Sequence, residues 1–137
     1  MPPDAIRLAE TKSWIVKAAS DLRAAAHEFT AVPPLLDDIV FHAQQAAEKA
    51  LKAFLTSHDR PFRKTHDLVE IGQACVELDK SLEPLLRASA PLTEYAWRFR
   101  YPGEPEEPTE DEARAAIEVA RKVYAAILAR LPVEAHP

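Results

Sequence analysis

The chain predicts an all-α protein: an up-and-down bundle of four helices with a short additional helix. Three observations carry that prediction. Two glycines and 7% aromatics in 137 residues, with abundant Ala, Leu, Glu and Arg, suit helices far better than sheets. Apolar residues recur at alternating spacings of three and four in each long segment. The runs Val32-Pro33-Pro34 and Tyr101-Pro102-Gly103-Glu104-Pro105 fall between those segments, where a missing donor does no harm. A chain of this size buries a core without disulfide or metal, so one domain is expected over 1–132. Residues 133–137 then form a short tail, expected to be disordered.

The first helix is expected from Asp4 to Thr30, on the stripe Ile15, Ala18, Leu22, Ala25 and Phe29, with Trp14 beside it. Asp21 lies on the side of Trp14 and Ala18, either as a solvated flank or as the partner of a nearby base. The second helix, Leu35 to Ser57, is the centre of the plan. Leu36, Val40, Ala43, Ala47, Ala50 and Phe54 make one face, widened by Leu51 and Leu55 on one flank and Ala46 and Ala53 on the other. A stripe so broad suits a helix with several neighbours. The same helix carries a polar ridge of Phe41, Gln45, Glu48 and Lys52, with Gln44 at its border and Lys49 beside it.

A basic connection, His58 to Lys64, leads to a third helix over His66–Leu78, which Thr65 is placed to cap. Ser81 is placed to cap a fourth, which Pro91 divides into Leu82–Ala88 and Pro91–Arg100. After the proline-rich loop, Thr109 and Glu112 have the spacing of a capping box, and three acids in the first turn suit the helix dipole. The last helix follows on Ala113, Ala116, Ile117, Ala120, Val123, Ile127 and Leu131 and stops at Pro132.

Composition narrows the function classes. The lone Cys75 excludes an internal disulfide and sits on an apolar stripe, where a buried inert thiol is the plain expectation. Two glycines cannot build a phosphate-cradling loop. The five histidines show no metal-ligand spacing, so no metal or resident cofactor is expected. No apolar run is long enough to cross a bilayer and no leader pattern opens the chain, so a cytoplasmic protein is expected. The net charge is -5, but seven acids against one base lie between Glu104 and Glu118. The rest of the chain, sixteen bases and fifteen acids, leaves room for local basic surface.

Two basic-aromatic clusters stand out. Arg60, Arg63, Lys64 and His66 lead into a helix start, where arginines and free amides can hold phosphate; an ordinary solvated connection explains them equally well. Tyr95, Trp97, Arg98, Arg100 and Tyr101 crowd seven residues and supply what stacking and phosphate contact require. Core packing by Tyr95 and dipole complementation by the arginines is the plainer alternative.

Taken together, Trp14, Asp21-Leu22, the block FHAQQAAEKALKAFL, Thr65-His66-Asp67-Leu68 and Arg100-Tyr101-Pro102-Gly103 resemble the HEPN domain family over about Arg7 to Leu131. The resemblance implies a helical bundle of four or five helices that dimerises. It also implies association with RNA cleavage, with nucleotide binding, and with pairing with minimal nucleotidyltransferases in prokaryotic two-gene toxin–antitoxin modules. RNA-cleaving members carry an arginine followed four to six residues later by a histidine on a late helix. Here Arg98 and Arg100 have no histidine after them until His136, and the one pair at that spacing, Arg60 and His66, lies on a different element. The resemblance is therefore to the branch found beside nucleotidyltransferases, an accessory binding protein. It places Gln44, Gln45, Glu48, Lys49 and Lys52 on one wall of a polar groove and Arg100, Tyr101 and Pro102 on the other, with His66 and Asp67 near one end. A structural role for the QQ-EK block, tying helices through buried hydrogen bonds, explains it equally well. An RNase toxin using Arg60 and His66, and a purely structural dimerisation module, are the alternatives.

Overall fold

The computed structural model describes residues 3–98, 102 and 107–137, with the backbone alone at Pro3, Tyr95, Ala96 and Trp97. Helices joined by short connections account for the described residues, with no strand among them. Three long helices form the frame: α1 (Pro3–Glu28), α2 (Leu36–Ser57) and, late in the chain, α6 (Glu110–Leu128). Between α2 and α6 come α3 (Leu68–Leu78), α4 (Glu83–Ser89) and α5 (Pro91–Arg98). This is the expected helical bundle with short additional helices.

Five alanines of α2 (Ala43, Ala46, Ala47, Ala50 and Ala53) are completely buried, and their short side chains let neighbours approach closely. The helix packs against α1, α6, α5 and α3, as a centre should. Ile39, Leu51 and Leu55 are likewise fully buried; each contributes about 1.5–3 kcal/mol of burial. Gly72 lets α3 pack tightly on α4, since a Cβ there would stand 3.1 Å from Leu86 Cδ1.

The helix ends show where sequence spacing is a good guide and where it is not. Thr109 and Glu112 form the expected capping box, Glu112 N–H donating to Thr109 Oγ1 at 3.0 Å and Thr109 N–H to Glu112 Oε1 at 2.9 Å. Pro91 opens α5 and separates it from α4. Thr65, by contrast, does not cap α3. Its hydroxyl accepts from Asp67 N at 3.1 Å, and Asp67 is the cap, accepting from Val69 N at 2.9 Å. The helix therefore starts two residues later than expected, at Leu68. Nor does Ser81 cap a fourth helix. Asp79 accepts from Ser81 N at 3.0 Å and opens a 3-10 turn, Lys80–Leu82, that runs into α4. The carboxylate wins in both places because it is the stronger acceptor and stands one step ahead of the helix.

The tail is also a correction. Val133–Ala135 makes a 3-10 turn that packs on α1, Ala135 is fully buried, and the His136 ring bonds Leu128 O at 2.8 Å. A small residue and a ring that reaches the last carbonyls of α6 were enough to order it.

Candidate functional site

The connection from His58 to Asp67 folds back over α2 and covers part of the polar ridge. Asp59 takes a left-handed conformation (φ 54°), which Asp tolerates, and Arg60 N–H then donates to Leu55 O at 2.9 Å. Phe62 meets Trp14 of α1 edge-on, ring centroids 6.2 Å apart. At the far end Gln44 Nε2 donates to His66 O at 3.2 Å, which pins the connection to α2.

Beneath this cover lies a carboxylate with every partner supplied. Glu48, 2% exposed, receives Gln44 Nε2 at 3.0 Å and His66 Nδ1 at 2.9 Å on Oε1, and Lys52 Nζ at 2.9 Å on Oε2. The Lys52 ammonium sits 5.4 Å from the Trp14 ring centroid and 5.6 Å from that of Phe62, so two aromatic faces and one carboxylate hold it. Gln45 Nε2 extends the network by donating to Gln44 Oε1 at 2.9 Å. Because the Glu48 carboxylate accepts, His66 donates from Nδ1, which fixes the orientation of its ring.

Around this network opens a pocket of about 570 Å³, lined by Gln45, Glu48, Lys49 and Lys52 of α2, by Trp14, and by Phe62, Lys64, Thr65 and His66 of the connection. Cations and aromatic rings thus share one concave surface. Lys49 is set from behind: its Nζ lies 2.6 Å from Asp21 Oδ2, while His42 Nδ1 lies 2.9 Å from Asp21 Oδ1. Asp21 is therefore the partner of nearby bases, not a solvated flank. His42 Nε2 in turn faces Glu28 Oε1 at 3.5 Å. Burial, and then the neighbouring Asp38, push the Glu28 carboxyl above its ordinary range.

The residues singled out by sequence fall in three places. Gln45, Glu48, Lys49, Lys52 and His66 come together on the pocket, whereas Gln44 is wholly buried and acts through hydrogen bonds alone. Asp67 is occupied as the α3 cap. Arg60 and His66 take different partners, Arg60 bonding Glu77 at 2.7 Å. Arg63 grips Glu70 through Nε and Nη2. Arg98 is exposed at the end of α5 and Pro102 is exposed in a turn. Arg100, Tyr101 and the side chain of Tyr95 lie outside the described residues, so of the second groove wall only Pro102 is described. Phe62 and Thr65 join the site without having been picked out for it. The signal for Phe62 was an aromatic residue inside a basic connection. Cys75 is inert: it is buried against Leu51 O, and burial pushes its thiol up to about 12.

The HEPN domain family model matches residues 11–131, nearly all of the bundle just described. The chain is a HEPN domain. No curated protein and no solved structure matches it. Within this HEPN domain the QQ-EK block serves the fold and the surface together. Gln44 and Glu48 hold α2 to the connection, and Gln45, Lys49 and Lys52 face the pocket that this contact shapes. No described helix is long and apolar enough to cross a membrane.

Proposed function

We propose that the pocket between α1, α2 and the 58–67 connection binds the phosphate of a nucleotide or of RNA, and that this HEPN domain is a binding subunit and not a nuclease. The observation that carries the reading is the lining itself: Lys49, Lys52, Lys64 and His66 beside Trp14 and Phe62. Ammonium groups and N–H donors suit phosphate oxygens, and aromatic rings suit the rest of a nucleotide. The sequence supports the biological setting. The blocks QQAAEK and RYPG without a late-helix arginine–histidine pair suggest a cytoplasmic homodimer that partners a minimal nucleotidyltransferase in a two-gene toxin–antitoxin module. Titration calorimetry with AMP, ATP and a short RNA tests it. Binding that Lys64→Glu weakens at least about tenfold supports the reading, and silence with all three ligands overturns it.

One observation favours a second reading. Glu48 fixes the His66 ring through Nδ1, which is how a general acid–base is held in place. As an RNase, His66 would move the proton and Arg60 would stabilise the phosphorane charge. RNA cleavage by the purified protein, lost in His66→Ala, would put this reading first.

A further inference from the structure

Two pockets share the Trp14–Phe62 pair in their linings, and each has one charge unmatched among the described residues. In the pocket already described, Lys49 is paired with Asp21, Lys52 with Glu48, and Glu48 with His66. Lys64 alone of its charged lining has no ion-pair or hydrogen-bond partner among the described residues. The same two rings also line a second pocket of about 560 Å³, with Ile6, Thr56 and Pro61 in its lining. Its charges are Arg7, Glu10, Asp59 and Arg60. Arg7 is taken by Asp4 at 2.7 Å and faces Asp59 at 3.9 Å, and Arg60 is taken by Glu77 at 2.7 Å. Here Glu10 is the charge with no partner among the described residues. A spare cation and a spare carboxylate thus line two pockets that share one aromatic pair.

We infer that the second pocket is the base-binding half of the same ligand site and selects a base with N–H donors on its edge, guanine above all. The inference rests on the phosphate-binding reading of the first pocket. A carboxylate only accepts hydrogen bonds, so Glu10 rewards donors and repels carbonyl oxygens. Guanine carries two neighbouring N–H donors on one edge, which match the two oxygens of a carboxylate. Adenine sets its amino group beside an acceptor nitrogen, and uracil sets its single N–H between two carbonyls. The Trp14 and Phe62 rings and Ile6 give a planar base the apolar contact it needs. Trp14 and Phe62 line both pockets, so the inference places the phosphate of one nucleotide in the first pocket, at Lys64, and its base in the second, at Glu10.

The test is calorimetry with inorganic phosphate, GMP and UMP on the full chain. GMP is expected to bind about tenfold tighter than UMP, the scale of a charge-assisted pair. Glu10→Gln, an exposed change on α1, is expected to abolish that preference and leave phosphate binding unchanged. Lys64→Glu is expected to weaken all three ligands. Equal affinity for GMP and UMP, or a preference that survives in Glu10→Gln, overturns the inference while phosphate binding still stands. Failure of phosphate and both nucleotides to bind overturns the phosphate reading, and this inference with it.

Discussion

Glu48 on the central helix and Glu28 at the end of α1 are both carboxylates, and they are served very differently. Glu48 has donors on both oxygens: Gln44 and His66 on one, Lys52 on the other. Glu28, the last residue of α1, has His42 at 3.5 Å on one oxygen, while its other oxygen, Oε2, is buried with no hydrogen-bond partner among the described residues. Asp38 and Asp37 add repulsion. A buried carboxylate is tolerable when its lone pairs are filled and costly when they are not. The Glu48 side of α2 is therefore rigid scaffolding for a pocket. The Glu28 side holds strain that the packing of α1 on α2 outweighs.

Substitutions can break that comparison or sharpen it. The largest effect is expected from Glu48→Ala, which leaves Lys52 buried without its counter-ion and Gln44 without its acceptor; a loss of about 3–5 kcal/mol should appear as a lower urea midpoint. In the double change Glu48→Met with Lys52→Met, both charges go together, so most of that loss should be recovered. If the double variant is as unstable as the single one, the pair is not the unit that matters. Asp21→Asn keeps the shape of the seam but removes the charge facing Lys49 and His42, and a smaller loss of about 1–2 kcal/mol is expected. Glu28→Gln should do the opposite of Glu48→Ala and raise the melting temperature slightly at pH 7. Its pKa is higher in the folded protein than in the unfolded chain, so the ionised form opposes folding. That penalty is full at neutral pH and fades as pH falls through the folded pKa toward the ordinary 4.5. The gain from Glu28→Gln should therefore shrink between pH 7 and pH 4, and a gain that grows on acidification would contradict the assignment.

The smallest contrast concerns Asp79, whose carboxyl is lowered to about 2 by the Ser81 hydroxyl first and then by Arg130. It stabilises the fold above its ordinary range, and that contribution disappears as pH falls toward 2. Asp79→Asn should flatten the acid limb of a melting-temperature profile there and leave the limb due to Glu28 in place.

The residues that were legible in sequence share a feature: the pattern that marks them lies within a few residues of chain. The α2 stripe, the Thr109–Glu112 capping box and the break at Pro91 are all set by spacing and backbone chemistry. The readings that needed correction depended on competition between neighbours. Asp67 displaced Thr65 as a cap, and the 133–137 tail became ordered because Ala135 and His136 found places against the bundle. Half of the candidate site was legible, because Gln45, Glu48, Lys49 and Lys52 share one helix. Phe62 and Thr65 come from a connection whose path no periodicity encodes.

The amino-acid sequence by itself determined the helical class, the central role of α2 and the family, since each follows from local spacing or from ordered blocks of residues. The tertiary structure alone decided that Glu48 and Lys52 are buried, that Trp14 and Phe62 flank one ammonium, and that Lys64 and Glu10 line pockets that share those rings. Burial and charge pairing are properties of groups brought together from distant positions, and no local pattern specifies which of them will meet.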